Sequence, residues 1–414
     1  MKKDFHHRTN CRLCSSERLS KALSLAPTPL ANSFVSKEAI SEVQPLYPLD
    51  VYFCEDCKHA QLLDVVDPSV LYRHYVYVSG TSPVFVRHFR EYAAYVTNSF
   101  EIQPGSLVVE IGSNDGTLLR SFKDLGMQVL GIDPAEEITR EALESGIDTV
   151  VGFFTPKLAD EIKMTRGLAA VISANNVIAH IDDLSAVMVG VHNLLEDDGV
   201  FVFEVSYLVD VFEKNLFDTI YHEHLDYHSV KPLVGFFRSH GLELIEALRV
   251  ESHGGSLRGV VQRLGGPRSV GASVTEAVFH EQSLGLDRAE TLSEFALGIN
   301  KIKNEITGLL RDLKQQGKQI AAFGAPAKAT TLMYHFGLEP GIIEFIVDDS
   351  PLKQGLYSPG MHIPVVPSSE LYLRKPDYVL ILAWNFAQSI ISKHAVFHDQ
   401  GGRFIVPLPS VEVI

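Results

Sequence analysis

The chain has 414 residues, 46% hydrophobic and 21% charged, a soluble globular profile too long for one ordinary core. Lys and Arg total 36 against 51 Asp and Glu, a formal charge of −15, which argues against a partner recognised through its phosphate backbone, so no nucleic acid is expected. No apolar run is long enough to span a membrane, and the opening MKKDFHHRTN lacks the apolar stretch of a signal peptide, so a cytoplasmic protein with no membrane partner is expected.

All four cysteines fall early, as the pairs Cys11/Cys14 and Cys54/Cys57. A two-residue gap lets both sulfurs of a pair face one cation, and two such pairs complete a tetrahedral zinc site with no open position. The zinc is therefore expected to be structural, holding a segment that could not build a core alone. His59 is a possible substitute ligand that the pattern does not require.

Ser82-Pro83 then opens a helical pattern, VFVRHFREYAAYV, with Ser82 as N-cap. From position 107 onward, short apolar strands (LVVEIG, QVLGID, AAVISA, VFVFEV, LELIEA, SLRGVVQ) alternate with helical patterns, the signature of a mostly parallel, doubly wound sheet. A long one-sided helix is expected from about 287 to 314, closed by Gly317, followed by a second βα series in QIAAFGA, IIEFIVDD and YVLILAW. The expected organisation is α/β throughout: a small zinc-binding domain over 1–70, a Rossmann-like domain over 71–285, and a second Rossmann-like domain over 286–414.

VVEIGSNDGTLLR (108–120) reads as a buried strand, a glycine turn and a helix start. Gly112 and Gly116 allow close backbone approach, but the spacing is not the G-x-G-x-x-G that seats a pyrophosphate. Glu110 before the turn would repel phosphate and suits a ligand carrying an amine and a sulfonium, S-adenosylmethionine. Asn114 and Asp115 complete the turn, and Asp133 ends the next strand where it can accept from ribose hydroxyls. Phe153 or Phe154 could flank an adenine or belong to the core. Asn176 and His180, beyond the fourth strand, fall at the carboxyl end of the sheet, where ligands bind.

The stretch YHEHLDYHS (221–229) is dense in titratable groups. Its histidines are two apart, not in the H-E-x-x-H spacing that places two on one helix face, so a metal site is the weaker reading. A general base with an orienting carboxylate and a phenolic donor fits better.

The ordered set of two CxxC pairs, "YVSGTS", "EIGSNDG", "NNVIAHI", "YHEHLDYHS", "HGGSLR", "GAPAKA" and "AWNF" resembles the zinc-containing, S-adenosylmethionine-dependent sugar C-methyltransferases, of which the C-3′-methyltransferase of tetronitrose biosynthesis is typical. The resemblance covers essentially the whole chain and implies a class I methyltransferase domain over 71–285. It implies methylation at carbon 3 of a nucleotide-linked 4-keto-6-deoxy sugar, with His224 as base, Glu223 orienting it, and Tyr221 or His180 donating to the developing enolate oxygen. It also implies that Tyr75, Tyr77 and Ser79 line the pocket, and that the second Rossmann-like domain covers the substrate, with Lys328 available to the nucleotide diphosphate. His222 stands where an acidic or variable residue is expected, which leaves open whether His222 or His224 lies nearest the substrate. The competing readings are a nicotinamide-dependent nucleotide-sugar oxidoreductase or epimerase, and an O- or N-methyltransferase.

Overall fold

The computed structural model describes residues 5–72, 80 and 83–414. Tyr75, Tyr77, Ser79 and Ser82 lie outside the described residues. The chain divides into two compact units that interleave along the sequence: Met1–Ser20, Phe53–Val209 and Leu225–Arg288 form the first, and Lys21–Tyr52, Asp210–His224 and Ala289–Ile414 the second.

The first unit is built on seven strands: β1 Leu107–Ile111, β2 Gln128–Asp133, β3 Thr149–Val151, β4 Ala169–Asn175, β5 Leu195–Ser206, β6 Leu242–Val250 and β7 Ser256–Arg263. Their order across the sheet is β6-β7-β5-β4-β1-β2-β3. The first five run parallel, and β7 pairs antiparallel with both β5 and β6. This is the class I methyltransferase order, and its switch point lies between β1 and β4, where a ligand crevice is expected. The antiparallel β7 is the one exception in a sheet expected to be mostly parallel. A strand following a short turn returns beside its predecessor, whereas a parallel return needs a crossover.

Strand β1 is buried along its whole length, as expected of a central strand covered on both faces. Helix α1 (Pro83–Ser99) covers the sheet with Tyr92, Ala93 and Val96, all fully buried at helical spacing. Tyr92 meets Phe122 of helix α2 (Thr117–Asp124) edge-on at 6.3 Å.

In the second unit, helix α3 (Ala289–Gln315) buries Leu292, Ile299, Ile306, Leu310 and Leu313 along one face, and Gly317 follows it in the left-handed region at φ 76°. Next come β8 Ile320–Phe323, helix α4 Ala329–Phe336, β9 Ile346–Val347, β10 Val365–Val366, β11 Tyr378–Ile381, β12 Arg403–Val406 and β13 Glu412–Val413. The sheet order is β10-β9-β8-β11-β12-β13, parallel apart from β13, which gives a second Rossmann-like sheet. Among the described residues, no helix is long and apolar enough to cross a membrane.

Candidate active site

The cysteine sulfurs come together in the first unit, all within 4.8 Å of one another, with Cys11–Cys57 and Cys14–Cys54 each at 3.5 Å. Sulfurs about 2.3 Å from a tetrahedral zinc lie about 3.8 Å apart, so the four thiols fit the ion. Hydrogen bonding to Cys57 holds the Cys11 thiol down to about 4 and pushes Cys57 well up, as expected of thiols sharing charge. His59 is not a fifth candidate: its Nε2 lies 2.6 Å from Asp226 Oδ1, and its ring stacks 5.4 Å from His228.

The carboxyl ends of β1, β2 and β4 form an acidic crevice in the same unit. Gly112 takes φ 70°, and a Cβ there would come within 2.4 Å of Val177, so only glycine makes this turn without displacing a neighbour. Asn114 also lies in the left-handed region, and its amide donates to Asp133 at 2.9 Å, while Ala135 donates to the other oxygen at 2.9 Å. Asp115 accepts from the Thr117 amide and hydroxyl at the start of α2 and from the Gly80 amide at 2.8 Å.

Glu110 is buried with Oε2 unpartnered, and burial followed by the charges of Asp115 and Asp133 pushes its carboxyl well above the usual range. A buried acid crowded by two others is relieved by a cationic ligand, which fits the amine and sulfonium of S-adenosylmethionine and opposes a phosphate. Asn176, at φ 55°, donates its amide to the Glu204 carbonyl at 2.7 Å, and the turn Ile178–His180 leaves His180 half-buried just beyond β4. The two phenylalanines separate: Phe153 is exposed, whereas Phe154 is packed in the core over Gly190 and Ala159.

The stretch 221–229 is divided between the units at His224/Leu225. In the second unit, the Tyr221 hydroxyl lies 3.1 Å from His224 Nε2, and His224 Nδ1 lies 2.7 Å from the Thr219 carbonyl. A carbonyl only accepts, so the proton of the neutral ring sits on Nδ1, and Nε2 keeps its lone pair toward the Tyr221 hydroxyl. The structure therefore corrects the expected role of Glu223: the Thr219 carbonyl, not that carboxylate, orients His224. Glu223 is buried and accepts instead from Asn32 Nδ2 at 3.0 Å, and burial raises its carboxyl to about 7. His222 is 1% exposed and points its Nε2 at the Pro48 and Tyr47 carbonyls, 3.1 and 3.3 Å away. Of the two histidines, His222 is committed to packing on the strand Tyr47–Cys54.

Lys328 also departs from expectation. Its Nζ lies 3.4 Å from buried Asp218 and 4.3 Å from the Trp384 ring centre, so the cation expected for a diphosphate is half of an internal ion pair.

Sequence reasoning missed a further cluster at the end of β5. Glu204 holds Arg258 Nε at 2.7 Å and His88 Nε2 at 2.7 Å, while the Arg258 guanidinium lies 4.7 Å over Tyr92. Arg258 closes the "HGGSLR" run, the one signal that could have exposed it.

Residues 11–72 match the family described as "Putative zinc binding domain", 85–247 the "Methyltransferase domain", and 251–409 the "C-methyltransferase C-terminal domain". The chain is 36% identical over 404 residues to the C-methyltransferase NovU of Streptomyces niveus, covering 98% of this chain and 96% of that protein. This chain belongs to the C-methyltransferase family. The Ubiquinone biosynthesis O-methyltransferase of Colwellia psychrerythraea is 25% identical over 152 residues, 34% of this chain and 62% of that protein. The crystal structure of magnesium protoporphyrin IX methyltransferase from Synechocystis with bound SAH covers 43% of this chain and 83% of its own at 15% identity, with a TM-score of 0.34.

The C-methyltransferase thus uses S-adenosylmethionine and carries a four-cysteine zinc site. The nicotinamide reading is set aside: the methyltransferase families match, and the crevice is acidic where a pyrophosphate would need amides and cations.

Proposed function

We propose that this C-methyltransferase acts on carbon 3 of a nucleotide-linked 4-keto-6-deoxy sugar and that His224 is its base. A carbonyl at carbon 4 makes the neighbouring C–H acidic, so removing that proton creates the carbon nucleophile that C-methylation requires. The observation that carries the reading is the fixed tautomer of His224, with Nδ1 held by the Thr219 carbonyl and the Nε2 lone pair directed at the Tyr221 hydroxyl.

In this scheme Nε2 takes the substrate proton as the C–H bond breaks. The Tyr221 hydroxyl then has no lone pair left to donate to on that nitrogen and turns its proton to the enolate oxygen, where negative charge has appeared. His180 serves as a second donor to that oxygen. Glu110 and Asp115 hold the donor's cationic end and Asp133 accepts from its ribose hydroxyls, with Gly112, Gly116 and Asn114 shaping the turn, while Phe153 and Asn176 border the adenosine. When bound, S-adenosylmethionine supplies the electrophilic methyl carbon. Tyr75, Tyr77 and Ser79 are assigned to the substrate pocket by resemblance to the family. A net charge of −15 fits a small-molecule partner, and thiols poised for zinc fit a reducing, cytoplasmic compartment.

The test is incubation with S-adenosylmethionine and TDP- or UDP-linked 4-keto-6-deoxyglucose, with mass spectrometry and NMR locating any new methyl group. We expect a C-methyl at carbon 3, and solvent deuterium entering that carbon in the absence of methyl donor. His224→Asn should lower turnover by about a hundredfold or more while leaving S-adenosylhomocysteine affinity unchanged. A methyl found on oxygen, or His224→Asn turning over like wild type, refutes the reading.

A further inference from the structure

The run GAPAKA looks like a nucleotide loop, yet the second unit turns it inward together with Trp384 of AWNF. Gly324 takes φ 90°, and a Cβ there would meet Ala383 at 2.6 Å. Asp348, placed where a ribose-binding acid would be, already accepts from the amides of Ala325 at 2.6 Å and Ser350 at 2.8 Å. What these motifs hold is a short turn of the same unit, Phe217–Thr219.

Asp218 on that turn is fully buried. Its Oδ2 accepts from Trp384 Nε1 at 2.7 Å and lies 3.4 Å from Lys328 Nζ, which in turn sits over the Trp384 ring. On the other side of Thr219, the Ile220 carbonyl accepts from Thr331 Oγ1 of helix α4 at 2.8 Å. Between these two anchors, the Thr219 carbonyl lies 2.7 Å from His224 Nδ1.

We infer that Asp218, Lys328, Trp384 and Thr331 are positioning residues that fix the Thr219 carbonyl, and through it the tautomer and direction of the His224 ring. The inference rests on the reading of His224 as the base. Three features favour geometry over stability as the role. A buried ion pair contributes little net stability compared with apolar packing of the same volume. Here the acid also leaves Oδ1 buried without a partner, a further cost. And the contacts converge on residues adjoining the single carbonyl that decides which ring nitrogen carries the proton. The second Rossmann-like sheet thus keeps the turn and helix of a nucleotide site and uses them to hold a loop of its own unit.

The experiment uses full-length, zinc-replete protein labelled with 15N-histidine, the His224→Asn spectrum serving to assign the His224 signals. Wild type should show a neutral ring protonated at Nδ1. Trp384→Phe keeps the ring under Lys328 but removes the donor, and should give a mixture of both tautomers. It should lower kcat on the keto-sugar nucleotide probe about tenfold, with KM and S-adenosylhomocysteine affinity within about twofold. Thr331→Val, a near-isosteric change, should do the same more mildly and covers the case in which Trp384→Phe does not fold. Lys328→Arg should retain more kcat than Lys328→Met.

Unchanged tautomer and kcat in folded Trp384→Phe and Thr331→Val would overturn the inference. So would a raised KM with kcat intact in Lys328→Met, because it would make Lys328 a substrate contact. Failure of the base reading is distinguishable: His224→Asn would then turn over normally, while the spectra would still report whether the anchors hold the ring.

Discussion

At the scale of single residues, neighbouring side chains in one short turn have been given opposite environments. His224 is half-buried between a carbonyl and a phenol, His222 is sealed against the strand Tyr47–Cys54, and Glu223 is buried beside an asparagine. Sequence spacing showed the density of titratable groups but not this sorting, because the deciding partner of His224 is a backbone carbonyl, which no residue pattern reveals. The exchange of roles between Thr219 and Glu223 follows from that. Burial holds the Glu223 carboxyl near 7 where an unfolded chain would ionise it near 4.5. The folded state therefore binds the extra proton, and the stability this contributes is present below about 4.5 and lost as the pH rises through 7. Glu223→Gln should remove this loss. Urea midpoints for the two proteins should diverge in favour of the variant between pH 4.5 and 8, by on the order of 3 kcal/mol at the upper end. Parallel curves would show that the carboxyl ionises normally.

At the scale of elements, the sequence was most legible where local pattern decides structure. Strand β1, the glycine turn and α2 follow directly from an apolar run, three residues at positive φ (Gly112, Asn114 and Gly116), and Asp115 accepting from the first turn of the helix. The second βα series was equally readable, but its use was not, since a turn with the look of a nucleotide loop can be filled by its own acid. Asp133 and Asp348 make nearly the same pair of amide contacts; what separates the two loops is the buried Glu110 in the first, whose counterpart two residues before Gly324 is Ala322. With the first loop proposed to bind the methyl donor, this contrast predicts asymmetric responses. Gly112→Ala forces a methyl group into Val177 and strains a residue at φ 70°, so S-adenosylhomocysteine affinity measured by calorimetry should fall about tenfold or more. Ala322→Glu, placing an acid at the second loop, should create no second adenosyl site, because Ala327 stands three residues after Gly324 where the first loop has Asp115; two-site binding isotherms would contradict this.

At the scale of the whole molecule, interleaving was the feature hidden from the sequence. Composition and motif order suggest consecutive domains, whereas the second unit draws in Lys21–Tyr52 and Asp210–His224 from far upstream. Membership of those excursions is decided by contacts between distant residues, which periodicity cannot register. The cysteine pairs acquire a clearer purpose from this. Cys11 and Cys14 precede the first excursion and Cys54 and Cys57 follow it, so one zinc ion closes its two ends. Closing a loop of about 40 residues restricts the unfolded chain by on the order of 4 kcal/mol if a metal clip acts as a covalent crosslink does. The excursion in turn supplies Asn32 to Glu223 and the Tyr47 and Pro48 carbonyls to His222, the residues flanking the turn that carries the base. The acidic residues around Glu110 belong to the first unit. Zinc removal should therefore separate two functions that a global collapse would lose together. Protein stripped with a strong chelator, or carrying Cys14→Ser, should retain S-adenosylhomocysteine affinity within about threefold while methyl transfer falls about a hundredfold, and zinc should restore the stripped wild type but not the variant. Equal loss of both would mean that the ion supports the whole first unit, including its central sheet. Retention of both would mean that the excursion holds its place without the clip.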